Sequence, residues 1–314
     1  MPTTLTRSTL RRALFNLFCM GYPCGVGLLL VMRLVFSFIP LLTLITTFLP
    51  FLFFPLAFLL PLALLARSRL AALSNLVLLI VGLALYAPLY LPRPAAADNS
   101  AARLRVMTFN LGPGQAAPQE VTAAIANENA DIVAVQELTP ATAESFKQQL
   151  ARYPSMILLP ENGSVGFITR YPILRSEWFR PSGSGRPGLD LILDVAGTPV
   201  HFIAIHPDPP DIAWLGDTEL PIGVDDSEQA REIANVAATA ARLKGPVIVA
   251  GDFNSGDSSR GYQAMASVLR DSYREAGRGL GLTFPHGLMV DRIPIPGPFV
   301  RLDYIFHSAS SAST

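Results

Sequence analysis

The sequence predicts an α/β protein in two parts: N-terminal transmembrane helices, then a polar domain in which short strands alternate with helices. Three observations carry this. Residues 1–97 contain seven arginines and no Asp, Glu or Lys, whereas residues 98–314 contain all 24 acids against 17 Lys and Arg, so a formal net charge of zero conceals an acidic domain. Long uncharged runs fill the first part. In the second, apolar segments of strand length end in polar residues, with no internal repeat.

The uncharged runs cover residues 13–31, 34–66 and 70–92, each close to or beyond the roughly 20 residues that cross a hydrocarbon core as helix. One cleaved signal peptide cannot account for three runs, and a soluble core helix would keep a polar face that these lack. Residues 1–92 are therefore read as a transmembrane region with spans at roughly 13–32, 42–66 and 70–91. Pro50, Pro55 and Pro61 fall inside the middle span, which is either kinked or re-entrant. With three spans, Arg7, Arg11, Arg12, Arg67 and Arg69 share one side and Arg33 and Arg93 the other. The positive-inside tendency then makes this an integral protein of the cell membrane with its polar domain outside the cytoplasm. Two spans in the middle run would reverse that. Residues 93–102 read as a semi-extended linker, 103–308 as the globular domain and 309–314 as a tail. Both cysteines, Cys19 and Cys24, lie in the apolar part, so the polar domain has neither a disulfide nor a cysteine-rich metal site.

Within the domain, residues 103–110 alternate Leu104, Val106 and Thr108 with Arg105, Met107 and Phe109, a strand pattern. A helix over 119–128 leads into an apolar strand that ends at Glu137. Residues 166–173 and 198–206 are further strands. The segment from Asp226 reads as a helix that Asp226 caps with Gln229, with Ile233, Ala237 and Ala240 on one face and Gly245-Pro246 as its stop. It feeds the buried strand VIVA and the turn GDFN.

Polar tips follow the apolar strands at Asn110, Glu137, His206, Asp252 and Asn254. Phosphate-ester hydrolysis needs a hard cation on a carboxylate, a group that orients or deprotonates water, and donors for the phosphoryl oxygens. Each residue alone is explained as turn or strand-end chemistry. Five of them in one domain point to a site.

The ordered set TFN (Thr108 to Asn110), VQE (Val135 to Glu137), RYPI (Arg170 to Ile173), IHP (Ile205 to Pro207), GDFN (Gly251 to Asn254), TFP (Thr283 to Pro285) and RLDYIF (Arg301 to Phe306) resembles the endonuclease/exonuclease/phosphatase superfamily. The resemblance implies a four-layered α/β sandwich, two packed sheets flanked by helices, with the site at one end. It implies Mg²⁺, or Mn²⁺, with Glu137 and Asn110 as the metal residues. It also implies catalytic roles for Asp252 toward water, Asn254 toward the phosphate, His206 toward the leaving side, and Asp303. In the family Asp303 pairs with the His of a terminal Ser-Asp-His motif, and no Ser-Asp-His occurs here. The expectation is a C-terminally incomplete domain of impaired activity. His307, on the same strand face as Asp303, is the one candidate surrogate.

Between Asp208 and Glu228 lie seven acids and no Lys or Arg. The run is either a solvated loop or a gate against long polyanions, and Trp214 and Leu215 inside it face lipid or substrate, or merely pack. A metal-dependent phosphoesterase acting near a lipid bilayer on a lipid head group or small phosphate ester is the first expectation. The alternatives are a membrane-held nuclease acting on nucleic acid, which requires Arg170, Arg175, Arg180 and Arg186 to gather at the site, and a non-catalytic binding module.

Overall fold

A computed structural model describes residues 7–91, 103–112, 116–161, 165–183, 185–218, 220–285, 287, 289–290, 293–294 and 296–309. The expected linker at 93–102 lies outside the described residues, as does the tail from residue 310. The chain divides into two compact units, one formed by Met1–Pro92 with Ile212–Asp225, the other by Arg93–Asp211 with Asp226–Thr314.

The first unit holds α1 (Arg7–Phe36), α2 (Pro40–Thr47), α3 (Leu56–Leu65) and α4 (Arg69–Tyr86). Leu14–Phe36 and Arg69–Leu89 are each long and apolar enough to cross a membrane. The middle span, expected over 42–66 as kinked or re-entrant, is bent: Pro40–Thr47 and Leu49–Leu65 meet at 71° and make a third crossing only if taken as one. The cause is local. Pro50 and Pro55 withhold backbone donors where a 3₁₀ turn, Leu49–Phe53, interrupts the helix. Cys19, Leu59, Ala63 and Ala71 form one buried cluster, and Val26, Leu56 and Leu78 the next. Ascending numbers in α1 and α4 against descending ones in α3 show that α1 and α4 run parallel with α3 antiparallel to both. Buried Asn75 ties α4 to α1 by donating to the Cys19 carbonyl at 2.8 Å, the kind of polar link that joins helices where water is absent. The acid-rich stretch expected as a loop forms a hairpin of two short strands, Asp211–Trp214 and Pro221–Asp225, and from Ile212 it belongs to this unit.

In the second unit the elements run β1 (Val106–Asn110), α5 (Pro118–Glu128), β2 (Ile132–Gln136), α6 (Pro140–Gln149), β3 (Ser155–Leu159), β4 (Val165–Thr169), β5 (Ile173–Phe179), β6 (Gly188–Val195) and β7 (Thr198–Ile205). After the hairpin strands β8 (Asp211–Trp214) and β9 (Pro221–Asp225) come α7 (Ser227–Ala240), β10 (Val247–Asp252), α8 (Arg260–Ala266), β11 (Arg270–Asp271), α9 (Ser272–Ala276), β12 (Met289–Val290), β13 (Ile293–Pro294) and β14 (Asp303–His307). One sheet has the order β1-β2-β4-β3 and the other β11-β14-β10-β7-β6-β5. The strand expected over 166–173 is really β4 and the first residue of β5, parted by a turn at 170–172.

Strand periodicity explains the layers. In β2, Ile132 and Ala134 face the other sheet and join Phe167, Leu191, Leu193, Phe202 and Ala250 in the central core. Val133 and Val135 face the opposite way, against Ile125, Phe146 and Leu150 on α5 and α6. The second sheet does the same, burying Ile203, Ile205 and Val249 against Ile233, Val236 and Met265 on α7 and α8. The result is helices, sheet, sheet, helices, the expected four layers. Asp226 precedes α7 without the expected side-chain cap; its carboxylate pairs with Arg260, and Gln229 turns toward the site.

Arg301 and Asp271 form a bidentate pair at 2.6 and 2.7 Å, both side chains 3 % exposed, with the guanidinium over the Tyr304 and Tyr273 rings. Asp271→Ala would leave a buried cation uncompensated, at a cost of about 3–5 kcal/mol. The expected outcome is a clearly lowered melting temperature of the detergent-solubilised chain; an unchanged one would mean that the pair is not structural.

Candidate active site

Two parallel strand pairs place the polar tips. β1 and β2 run parallel with Asn110 opposite Gln136, so Asn110 and Glu137 leave the sheet together. β7 and β10 run parallel with Ile205 opposite Gly251, which sets His206 beside Asp252. Antiparallel β14 puts Asp303 opposite Asp252. Gly251 is required by that pairing, since a Cβ there would sit 1.8 Å from the Ile205 carbonyl oxygen. Glu137 and Asn254, at φ 57° and 50°, hold left-handed backbone, which non-glycine residues rarely adopt and which concentrates at functional sites.

One amide joins the two sheets. Nδ2 of Asn110 donates to Oδ2 of Asp252 at 2.8 Å and to Oε1 of Glu137 at 3.2 Å. Asp252 also accepts the Asn254 backbone N–H at 2.7 Å. Nδ2 of Asn254 donates to the Pro207 carbonyl at 3.0 Å, and Gln229 donates to the Asn254 carbonyl at 2.7 Å. His206, 2 % exposed, brings Nε2 within 3.8 Å of Oε1 of Glu137. The Thr283 hydroxyl accepts the backbone N–H groups of Leu302 and Asp303, fixing the start of β14. Asn110, Glu137, His206, Asp252, Asn254 and Asp303 therefore converge.

Arg170, Arg175, Arg180 and Arg186 do not gather. Arg170 pairs with Asp131, which precedes β2 at the end opposite Glu137, and Arg175 pairs with Asp190. Arg180 bonds the Gly185 carbonyl. Arg186 alone reaches the site, with Nη1 2.6 Å from Nε2 of His206 and Nε 3.2 Å from Oδ1 of Asp208. His307 does not serve as a surrogate partner: it pairs with Glu275 at 2.9 Å and lies at the far end of β14 from Asp303. Sequence reading missed the parts of Gln229 and Thr283. Thr283 had a signal in the TFP motif; Gln229 had none, because its helix pattern served equally for capping.

Burial, and then the neighbouring Asp303, push the Asp252 carboxyl up to about 6; the Asn110 and Asn254 hydrogen bonds pull against this, and Glu137 adds to it. Burial raises Asp303 too, offset by Thr283 and Arg301. Burial first and Arg186 second hold His206 down at about 3, so its ring is neutral. A guanidinium only donates, which requires the facing ring nitrogen to accept.

The crowded carboxyl groups of Glu137, Asp252 and Asp303 invite a cation. Among the described residues no group of three His, Cys, Asp or Glu is arranged to hold one. A Mg²⁺ ion bound through one or two carboxylates and several waters needs no such group, and Glu137, its side chain 25 % exposed, fits that role. Asn110 fits less directly. Its Oδ1 accepts from the Gly112 N–H at 3.0 Å while its NH₂ faces the carboxylates, so the amide must turn over to offer a metal its oxygen.

The Endonuclease/Exonuclease/phosphatase family matches residues 107–314 of the chain. No curated protein matches the sequence. Among solved structures, an endonuclease/exonuclease/phosphatase from Bacteroides vulgatus is 20% identical with a TM-score of 0.51, over 66% of this chain and 88% of that one. D. rerio TDP2, complexed with a single strand DNA product, is 16% identical with a TM-score of 0.52, over 68% and 87%. Sphingomyelinase C from Streptomyces griseocarneus is 19% identical with a TM-score of 0.48, over 66% and 84%. At such identities the likeness is one of fold.

The two strongest shifts have opposite consequences for stability. Asp252, raised to about 6 from 3.8, contributes stability that is complete below its unfolded value and lost as pH rises through 6; Asp303, also raised, adds to it. His206, lowered to about 3 from 6.5, contributes stability present above 6.5 and lost as pH falls toward 3. In metal-free protein with EDTA, the unfolding free energy should stay level or rise from about pH 6 to 4. Asp252→Asn should unmask the His206 slope, a fall on the order of 2–3 kcal/mol over the same range. Parallel denaturant-unfolding profiles for parent and variant would sink this account.

Proposed function

The chain belongs to the endonuclease/exonuclease/phosphatase family, and from that premise we propose that it is a membrane-anchored phosphoesterase dependent on Mg²⁺ or Mn²⁺. Members of the family hydrolyse phosphate esters with a divalent metal, and include phosphodiesterases, nucleases and sphingomyelinases. The observation that carries the reading is the convergence of Asn110, Glu137, His206, Asp252, Asn254 and Asp303 from separate segments at one end of two packed sheets.

A bound divalent ion supplies Lewis acidity toward a phosphoryl oxygen, and Glu137 would hold it. Asp252 serves as the base: buried, oriented by Asn110 and Asn254, and with a carboxyl near 6, it takes a proton from water at near-neutral pH. The water oxygen bonds to phosphorus as the ester P–O bond opposite it breaks, and the departing alkoxide takes a proton from solvent, to which Asp252 returns the one it accepted. Arg186 supplies the positive charge that neutral His206 does not, so Arg186 stabilises phosphoryl oxygens while His206 positions it. The nuclease alternative is disfavoured because, of Arg170, Arg175, Arg180 and Arg186, Arg186 alone stands at the site, and one such residue makes no stripe for a polyanion. A lipid head group or small ester suits the site better.

The apolar helices α1 and α4 support the anchoring. The full chain should remain with membranes through an alkaline carbonate wash and require detergent for extraction; release by the wash would end the anchoring reading. For the chemistry, the assay is hydrolysis of bis(p-nitrophenyl) phosphate with Mg²⁺ against EDTA. Glu137→Gln should abolish the divalent-dependent rate, and Arg186→Gln should lower kcat by ~10²–10³. Metal-dependent turnover undiminished in Glu137→Gln would remove Glu137, and an unchanged kcat in Arg186→Gln would remove Arg186.

A further inference from the structure

The acidic stretch after His206 is an antiparallel hairpin, β8 to β9, closed by the Leu215 N–H on the Leu220 carbonyl at 3.0 Å. It clusters with the apolar helices and not with the sheets. Its contact is intimate: Gly223 lies so close to Pro40 at the start of α2 that a Cβ would come within 2.8 Å of the Pro40 ring. By the period of two, Leu220 and Ile222 do not share the face that Gly223 turns to α2, and they are 56 % and 42 % exposed. Ile212, Trp214 and Leu215 are about half exposed as well, at 45 %, 48 % and 50 %.

The position of α2 identifies what covers these side chains. It begins where α1 ends, and Phe53, in the turn after α2, packs on Tyr86 at the end of α4, their ring centroids 5.7 Å apart. α2 thus lies at the end of the helical unit where both long helices terminate, and the 71° bend turns it away from their direction. If α1 and α4 cross a bilayer, α2 and the hairpin upon it stand at the level of the head groups, on the side from which the chain continues past residue 92. Five half-exposed apolar side chains on a two-stranded ribbon are a liability in water, whereas a tryptophan is favoured at the head-group level. The exposed acids Asp211, Asp217 and Asp225 oppose an anionic surface.

We infer that the hairpin of Ile212–Asp225 is a bilayer-docking element seated in the head-group layer of a neutral, zwitterionic phospholipid surface, and that the site takes its phosphate ester from that layer. Four residues, 207–210, join His206 to β8, a covalent link of at most roughly 18 Å. The substrate half of the inference rests on the anchored phosphoesterase reading; the docking half does not need activity.

Trp178 and Trp214 are the two tryptophans of the chain, so in a full-length Trp178→Phe background Trp214 reports alone. In phosphatidylcholine nanodiscs its emission should be quenched by lipid brominated near the head group, and less by lipid brominated at the chain end. No quenching by the shallow label overturns the docking, whatever the activity. Replacing Trp214, Leu215, Leu220 and Ile222 together by Ser should reduce phosphatidylcholine hydrolysis about tenfold or more while turnover of bis(p-nitrophenyl) phosphate is kept. Unchanged lipid hydrolysis, or an equal fall on both substrates, overturns delivery from the layer. A parent that hydrolyses neither substrate refutes the phosphoesterase reading and leaves the quenching result to decide the docking.

Discussion

The second unit depends on the burial of two sheet faces against each other. Phe167 from one sheet and Phe202 from the other meet with ring centroids 4.9 Å apart, among side chains that exclude water altogether. Neither sheet can slide without opening that contact, because packed interiors leave no slack for a shift of a few tenths of an ångström. This rigidity allows a single amide, on Asn110, to bond Glu137 in its own sheet and Asp252 in the other. Parallel pairing within each sheet supplies the rest: β1 with β2 and β7 with β10 end on the same side, so four strand termini deliver their polar residues to one place.

That place is electrostatically unfinished. Asp252 and Asp303 are buried and opposite each other, and both resist ionisation. Asn110, Thr283 and the Asn254 backbone offer hydrogen bonds that partly relieve the crowding, but hydrogen bonds do not cancel charge. Arg301 draws Asp303 partly back, and Arg186, paired with Asp208 at one edge, adds to the burial that keeps His206 neutral. A carboxyl held near 6 beside an imidazole held near 3 reverses the usual order of the two groups, which fits the carboxyl for proton acceptance and leaves the imidazole to position its neighbour. The buried Arg301–Asp271 pair serves a different end, clamping β11 to the segment that leads into β14.

Much of this was legible in the sequence. The alternation of strands and helices followed from side-chain period, the four layers from the family resemblance, and the site residues from polar tips after apolar strands. Legibility failed where partners distant in sequence decide the outcome. Asp226 and Gln229 read as a helix cap, yet Arg260 claims one and the Asn254 carbonyl the other. His307 read as a possible partner for Asp303 because strand period places them on one face; four residues of strand rise separate them, and Glu275 holds His307 away. The acid-rich stretch read as a loop, since its charges conceal five apolar residues whose exposure appears only when the hairpin forms.

The sequence alone determined the division into an apolar and an acidic part, the order of strands and helices, the family, and the identity of the residues at the strand tips. All are local properties: side-chain period, uncharged run length and turn chemistry act over a few residues and are written consecutively. The tertiary structure alone decided which arginine stands at the site, which way the Asn110 amide faces, and that the hairpin keeps company with the helices. Each of those is settled by contacts between segments tens to over a hundred residues apart, such as the 142 residues between Asn110 and Asp252, and no local pattern encodes which of several equivalent side chains a distant partner will meet.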